Sequence, residues 1–371
     1  MTIEVLKSSI SNEEKEDFIY TKLGDNLEDL LTNLQSTWPD LTSQRQNKII
    51  KKSFSLIAKT AENTQILENV INWAKENERS NLILELELIL SEFYLQNKMF
   101  SDSLELIKSL EKTYKDLDDK VKMAELFLLE SRVLYEVESF DKAKTALSMA
   151  KNLSLSVLCG DHTQSMIDMM NGIYLCDDGD YNSATSYFLE SYNGFHGKNA
   201  ENILCYVILC RIFLKKFSLI DGILSIKRFL PFKDSERVRS MVEIKNCVQS
   251  VDIKGFSAII QKDAELCSNA FLKKHLFLMY QILLDKNIIK IIKPYSVIKI
   301  KFIADALKFE ESEMEKKLRI MILEGKINGN IDHESGVFVF KGKVPKDPIF
   351  EGICKELEKN ISELSENVRM N

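Results

Sequence analysis

The chain has 371 residues and a formal net charge of −6, and its 13 glycines and 5 prolines are far fewer than average usage would give. This length allows two or more units with separate cores, and the shortage of helix breakers favours a mainly helical protein. A net negative charge provides no overall attraction to a polyanion, so a nucleic-acid binder is a minority hypothesis that needs a local basic patch.

Neither the amino end nor the cysteines indicate export. The opening MTIEVLKSSISNEEKEDF has an acid at Glu4 and no long apolar core, unlike a secretory signal. The longest apolar runs, such as ILCYVILC from Ile203, are far shorter than the roughly 18 residues that span a bilayer. The seven cysteines are scattered without a Cys-x-x-Cys pair, so neither a disulfide framework nor a zinc cage is indicated. We expect a soluble intracellular protein with free thiols and no membrane contact.

A pattern of one aromatic residue, one small residue and one large apolar residue recurs on a single helical face. Its three clear copies are Phe100–Ser103–Ile107, Phe140–Ala143–Leu147 and Tyr181–Ala184–Phe188. Weaker copies around Phe217 and Phe256 continue the register with steps of 40, 41, 36 and 39 residues. A helix pair of this length cannot bury its apolar face alone, so the pattern predicts a right-handed, tetratricopeptide-like solenoid. The helical spacing places Phe140 and Tyr181 in the core between helices.

Motifs that would carry chemistry are missing from the sequence. It contains no P-loop, no Rossmann glycine pattern and no Gly-x-Ser-x-Gly elbow, so we predict no enzymatic activity and no cofactor. The four histidines stand far apart, without the spacing that places two imidazoles on one metal. The segment CDDGDY at 176–181 has three carboxylates but lacks the closing glutamate of a calcium loop, so we predict no metal site.

The stretch 302–340 has the layout of a winged helix, with two short helices followed by a two-stranded ribbon. Pro294 breaks the pattern before it, and Ile300, Ile303, Ala304 and Leu307 form the inward face of the first helix. The second helix has an apolar face made by Met314, Leu318, Met321 and Ile322. Gly325 stands where a left-handed carboxyl-terminal cap would be, and the ribbon loop at 332–336 ends in Gly336.

The charges of this module argue against DNA reading. A recognition helix presents basic or amide side chains from its first turns, whereas this helix opens with Glu310, Glu311, Glu313 and Glu315. Five lysines precede it without an intervening acid, at 286, 290, 293, 299 and 301. Their alternation with isoleucine fits a solvated strand edge as well as a nucleic-acid patch, and the strand edge is commoner. We therefore interpret the winged helix as a module that packs against protein.

An apolar stripe at helical spacing closes the chain. After Pro345 and Pro348 it consists of Phe350, Ile353, Leu357, Ile361, Leu364 and Val368. Successive residues of this stripe are on average 3.6 positions apart, which predicts one amphipathic helix. The predicted winged helix already has its helices and ribbon, so this stripe is not needed for its core. Two alternatives remain open: the helix folds back on its own solenoid, or it enters a bundle with other chains.

A solenoid that ends in a winged helix without DNA-reading residues resembles the PCI-domain family of proteasome lid, signalosome and initiation-factor scaffolds. The resemblance to the lid proteins is carried by the run from Leu283 to Phe340. Its matching pieces are Pro294-Tyr295-Ser296, Ile300, Ile303, residues 315–318, Met321-Ile322-Leu323, Gly329, Ile331-Asp332 and Gly336. It is strong over roughly the last 85 residues, extends loosely to about residue 90, and is poor before that. Glu310 departs from the family, which usually has a capping serine there.

The resemblance implies an all-α fold: a tetratricopeptide-like solenoid at 1–270, a winged-helix PCI part with a small β-ribbon at 271–344, and a carboxyl-terminal helix at 345–371. It implies a non-catalytic scaffold of the 26S proteasome lid, found in cytoplasm and nucleus. The implied partners are other lid PCI subunits, the lid deubiquitinase, the ATPase ring and the outer ring of the proteolytic core, and the terminal stripe would join a bundle of lid tails. A signalosome scaffold and a winged-helix nucleic-acid binder remain as alternatives.

Overall fold

A computed structural model describes residues 64–333, except 158, 264, 265, 267 and 268, together with 335–340 and a few positions between 44 and 55. The chain forms two compact units, Met1–Ile203 and Leu204–Asn371. Among the described residues, no helix combines the length and apolarity that crossing a membrane requires.

From residue 64 onwards, the described part of the first unit consists of consecutive α-helices joined by short turns. They are α1 (Thr64–Glu76), α2 (Ser80–Gln96), α3 (Phe100–Asp116), α4 (Lys120–Glu136), α5 (Phe140–Ser156), α6 (Asp161–Asp177) and α7 (Tyr181–Ser191), followed by a 3₁₀ turn at Tyr192–Gly194. The contacts α2–α3, α4–α5 and α6–α7 make the pairs of a helical repeat. The predicted helical-repeat architecture is therefore confirmed.

Five turns in this unit share one geometry, with three residues of which the middle one has a positive φ. Four of these middle residues are not glycine: Glu78, Lys98, Asp118 and Glu138; the fifth is Gly179. The N–H of Lys98 donates to Leu95 O at 3.2 Å, and the N–H of the next residue, Met99, donates to Tyr94 O at 2.9 Å. These two bonds satisfy the last helical carbonyls, so the helix ends sharply without a glycine.

The small and large apolar positions of the repeat are buried, but its aromatic position lies at the rim. Ala143 is fully buried and Leu147 is 2% exposed, whereas Phe140 is 40% exposed and Tyr181 is half-buried. The prediction that Phe140 lies in the interhelix core is therefore wrong. It is the first residue of α5, where the side chain leans back over the turn and meets the edge of Tyr135 at 5.6 Å between ring centroids.

Buried serine hydroxyls connect the helices within two of the pairs. Ser103 Oγ in α3 donates to Ser91 O in α2 at 3.0 Å, and Ser131 Oγ in α4 donates to Ala143 O in α5 at 2.8 Å. Each bond satisfies a hydroxyl that would be costly to bury unpaired. The small side chains at these positions let the two backbones approach closely enough for this contact.

The second unit begins within a further helix and ends in a mixed module. Its elements are α8 (Lys198–Phe213), α9 (Phe217–Leu224), a 3₁₀ turn at Leu230–Phe232, α10 (Glu236–Ser250), α11 (Ile253–Lys262), α12 (Ala270–Ile292), β1 (Val297–Lys299), α13 (Ile300–Leu307), α14 (Glu311–Leu323), β2 (Gly329–Asp332) and β3 (Val337–Phe340). Helix α11 begins at Ile253 after a left-handed Val251, so Ile253 and not Phe256 continues the repeat register.

The module at the end of the described chain is a winged helix with a three-stranded antiparallel sheet in the order β1-β3-β2. Phe338 lies opposite Ile298 on one side and Ile331 on the other. The predicted ribbon is therefore joined by a third strand, β1. The lysine–isoleucine run that begins at residue 288, interpreted from sequence as a strand edge, instead forms the end of the 23-residue α12 as far as Ile292.

One apolar core holds α12, α13, α14 and the sheet together. Leu284, Ile288 and Ile292 of α12 belong to the same cluster as Met314 of α14 and Phe338, which is fully buried in the central strand. The carboxyl-terminal half of α12 is thus part of the winged-helix core. The mainly helical fold with a small sheet is confirmed, while the terminal helix predicted at 345–371 lies outside the described residues.

Candidate protein-interaction surface

Helix α14 occupies the place of a recognition helix, and its first turn is acidic and exposed. Glu310 precedes it in extended conformation without a side-chain cap, and Glu311 and Glu313 follow, all three exposed to solvent. Carboxylates at a helix amino terminus interact favourably with the helix dipole, which gives them a structural role. The same carboxylates would repel a duplex that carries one charge per ~1.7 Å of its axis.

The fourth carboxylate of this helix is directed at the wing. Glu315 Oε1 accepts a hydrogen bond from Arg319 Nη2 at 2.7 Å and lies 3.0 Å from Nδ1 of His333, in the loop between β2 and β3. The exposed His333 side chain is thereby held near α14 rather than extended towards a ligand. This contact fixes the position of the wing against the helix.

The far half of α14 presents apolar side chains to solvent. Ile320 is 48% exposed and Leu323 is 81% exposed. They follow Glu313 and Lys316 at helical spacing, so the outward face of α14 changes from charged to apolar along its length. An exposed apolar helix end is a surface that suits a protein partner.

A second exposed apolar group lies beside strand β1. The rings of Tyr295 and Phe302 are in contact, with centroids 6.2 Å apart, and both side chains are about half exposed. Val297, on the outward face of β1, is also exposed. Within the described residues β1 and β2 are the edges of the sheet, so each has one side unpaired by the sheet itself. We name Tyr295, Val297 and Phe302 the β1 patch.

The five lysines that precede and flank this patch do not form one surface element. Lys290 is exposed on α12, Lys299 is on β1 and Lys301 is on α13. Lys293 follows the end of α12, and burial lowers the pKa of Lys286, with a further contribution from Lys215. The lysines are spread over helix, strand and helix, so the strand-edge interpretation applies to Lys299 alone.

The structure places the residues predicted to shape the winged helix as follows. Ile300, Ile303, Leu318 and Met321 are buried in its core, and Pro294 is exposed directly after α12. Gly325 and Gly336 have positive φ values of 70° and 61°. Gly329 faces the ring of Phe338 so closely that a Cβ would collide with it. The terminal stripe, Phe350, Ile353, Leu357, Ile361, Leu364 and Val368, lies outside the described residues.

A buried charge cluster beneath this surface was missed by sequence reasoning. Asp285 of α12 is buried, and its carboxylate lies 2.8 Å from Lys317 Nζ of α14 and 2.7 Å from Lys326 Nζ after α14. Lys317 also donates to Gln281 of α12 at 3.0 Å. The cluster fixes α14 on α12. The sequence does contain an indication of this cluster, because Asp285 is the single acid in the mainly apolar segment from Ala270 to Ile292.

The acidic turn at 178–180 does not form a metal centre with its neighbours in the described part of the chain. No group of three or more His, Cys, Asp or Glu residues there could hold a metal ion. At the turn 178–180, Asp178 pairs with Lys144 and Asp180 caps α7 by accepting from the N–H of Ser183. The acidic turn therefore has a structural explanation.

Comparison with known proteins gives one family and a consistent group of relatives. The model of the PCI domain matches residues 260–342. The probable 26S proteasome regulatory subunit rpn6 of Schizosaccharomyces pombe is 28% identical, covering 96% of this chain and 89% of the relative. The 26S proteasome regulatory subunit RPN6 of Saccharomyces cerevisiae is 30% identical over 73% of this chain and 64% of its own length. The 26S proteasome non-ATPase regulatory subunit 11 of Dictyostelium discoideum is 27% identical over 90% and 83%.

The alignment with the S. pombe protein covers 96% of this chain, so it extends beyond residues 90–371, over which the resemblance was inferred from sequence. The matched PCI region begins at residue 260, in α11, and ends just after β3. It therefore includes α12 and the whole winged helix.

Proposed function

We propose that this chain is a non-catalytic scaffold subunit of the 26S proteasome lid, because the PCI-domain model matches residues 260–342 and the chain is similar over most of its length to 26S proteasome regulatory subunits. The observation that carries the proposal is the outer surface of its winged helix. Helix α14 lies where a winged helix that binds DNA has its recognition helix. Its exposed side chains are acids at its start and Ile320 and Leu323 at its end.

The sheet edges supply a way of joining neighbouring subunits. An unpaired strand edge can add a strand from another chain through backbone hydrogen bonds, and side chains along the edge select the partner. The β1 patch provides apolar area beside one such edge, since Val297 and Phe302 are more than half exposed. Edge-to-edge contact with the winged helices of other lid PCI subunits uses both the unpaired edge of β1 and the apolar β1 patch beside it.

The repeat region and the terminal stripe complete the proposed role. The helical repeats form an arm that contacts the ATPase ring and the outer ring of the proteolytic core, as a clamp, while the lid deubiquitinase is a neighbour in the lid. The stripe from Phe350 to Val368 joins the bundle of lid tails. A subunit of this kind acts in ubiquitin-dependent degradation, in cytoplasm and nucleus, without a cofactor or a nucleic acid.

Affinity purification of the tagged chain followed by mass spectrometry tests the proposal. We expect lid subunits together with proteasomal ATPases and proteolytic-core subunits. Cullins in their place would identify a signalosome scaffold, and the absence of both groups would contradict the proposal.

The same purification, repeated with surface variants, tests whether the winged helix is needed to bind the other lid subunits. Phe302→Asp and Leu323→Asp change side chains that are 52% and 81% exposed, so the fold should tolerate them. We expect each to reduce recovery of other lid subunits. Leu155→Asp is the matched control, because Leu155 is 75% exposed on α5, far from the winged helix in sequence. Equal recovery with all three variants would contradict the role of this surface.

A further inference from the structure

An apolar groove lies between α11 and α12, separate from the β1 patch and from α14. It has a volume of about 600 Å³, and its walls include Ile260 of α11 with Leu276, Phe277 and Tyr280 of α12. Phe277 is 63% exposed, so the groove is open to solvent along α12. An apolar site of this size is large enough for several side chains or a small ligand.

The charged residues that line the groove are both basic. Among the described residues around it, Lys273 and Lys274 of α12 are exposed at its rim, and the remaining polar lining residues, Ser257 and Gln261, are neutral. An occupant with apolar side chains flanked by carboxylates therefore matches the groove in both polarity and charge.

We propose that in the free protein this groove is occupied by the chain's own carboxyl-terminal segment, through Phe350, Ile353 and Leu357. These are the first three residues of the terminal stripe, at steps of 3 and 4 residues that give one helical face. Glu351 and Glu358 are seven residues apart, so on a helix they lie on the same flank of this face, where they can meet the lysines of the rim.

The length of the connecting chain permits this arrangement. The described chain ends at Phe340, whose N–H donates to Ser296 O at 2.8 Å, so β3 ends beside the carboxyl-terminal end of α12. From Ile292 back to Phe277 along α12 is about 22 Å at the helical rise of about 1.5 Å per residue. Residues 341–349, which connect Phe340 to Phe350, span up to about 33 Å when extended. The segment can thus reach the groove within one molecule.

This inference concerns the isolated chain and does not depend on the proposed function. If the stripe also enters a bundle in the lid, assembly must first remove it from the groove. The groove contact would then keep the apolar stripe covered until partner subunits are present, which protects the free subunit from association through it.

Photochemical crosslinking of the full-length chain tests the contact. We replace Phe277 with p-benzoyl-phenylalanine, which the exposed position should accept, and identify the crosslinked peptides by mass spectrometry. We expect crosslinks from position 277 to residues 350–358. The same photoreactive residue at Leu155, 75% exposed in α5, is the control and should not reach that segment.

Mixing ¹⁵N-labelled and unlabelled chains separates the possible occupants. Intramolecular crosslinking gives only uniformly light and uniformly heavy pairs, without mixed ones, and this is the result we expect. Mixed pairs would assign the groove to a second copy and overturn the proposal. Crosslinks to another part of the chain, or a yield no higher than at position 155, would overturn it as well.

Two substitutions in the segment add a test of orientation. Leu357→Asp places a carboxylate on the face that enters the groove and should lower the crosslink yield by about ten-fold. Lys359→Asp introduces the same residue on the opposite face and should leave the yield within about two-fold. Equal losses for both variants would contradict the proposed seating of the stripe. Assembly into the lid is measured separately, so a negative result there leaves this test intact.

Discussion

Replacing Asp285 with asparagine should destabilise the winged-helix unit strongly, because two lysines depend on this carboxylate. Lys317 lies 2.8 Å and Lys326 2.7 Å from its oxygens, and the carboxylate itself is buried. Asparagine has nearly the same shape, so the change removes charge and leaves packing intact. Any loss of stability therefore reports the ion pairs and not a cavity.

The magnitude follows from how far each lysine can return to water. Breaking a buried ion pair costs about 3–5 kcal/mol. The side chains of Lys317 and Lys326 are 22% and 45% exposed and can be partly rehydrated, which lowers the expected loss to about 2–3 kcal/mol. For a unit of this size that corresponds to a fall in melting temperature of about 5–10 °C.

The assay is thermal unfolding of Asp285→Asn beside a matched control, Asp305→Asn. Asp305 is exposed on α13 in the same module, and its substitution should change the melting temperature by no more than about 1 °C. Hydrogen exchange should also show faster exchange in α14 for the first variant only. Equal melting temperatures for the two variants would refute the reasoning.

A pH series gives a second readout of the same cluster. Hydrogen bonds to Asp285 and then Glu324 raise the pKa of Lys326 above its ordinary value of 10.5. Because the pKa of Lys326 is higher in the folded chain than in the unfolded chain, the stabilisation from its charge is fully present below the unfolded pKa. It is lost as pH rises through the folded pKa. The difference between wild type and Asp285→Asn should therefore shrink above pH 10.5.

Four further outcomes are expected. Glu138→Gly, at a left-handed turn position, should raise stability by about 0.5–1 kcal/mol in urea unfolding, whereas Glu105→Gly, at an exposed position in the interior of α3, should lower it by about 1 kcal/mol. Ala143→Glu should cost several kcal/mol because it buries an unpaired charge, while exposed Lys142→Glu should not; an unchanged melting temperature at 143 would contradict the repeat register. Duplex DNA should show no salt-sensitive binding by fluorescence anisotropy, and sub-micromolar affinity at physiological salt would contradict the protein-packing interpretation. Ending the chain at Asp347 should leave the described fold intact by circular dichroism but prevent stable incorporation into reconstituted lid on a native gel; normal incorporation would rule out the bundle.

The winged helix could be predicted from sequence because its core positions repeat at one helical spacing. Ile300, Ile303 and Ala304 are all buried, and Gly325 ends α14 with the left-handed geometry that its position after the helix suggested. Periodicity over a short, one-sided helix is a strong signal, since few other arrangements bury the same set of side chains. The proteasome-type PCI likeness of this segment was predicted on the same residues.

The errors arose where distant residues decide the local structure. The alternation of lysine and isoleucine at 288–293 resembles a strand, but Ile288 and Ile292 belong to the core shared with α13 and α14, so α12 continues as far as Ile292. Phe140 has the aromatic character of a core residue, yet as the first residue of α5 it leans over the turn. Neither contact is visible in the neighbouring sequence, because both depend on which helix packs opposite.

The charges at the sheet edge indicate which kind of partner the winged helix accepts. Strand β1 has Lys299 on its outward face, and Lys301 is exposed directly after it. Antiparallel pairing of two copies through β1 would bring these lysines close together, and like charges on paired strands are destabilising. A different winged helix with carboxylates along its edge would instead gain from the same lysines. The edge therefore favours a neighbour of another sequence over self-association, and Lys299→Gln, which removes this charge from the edge, should increase homodimer formation as measured by analytical ultracentrifugation.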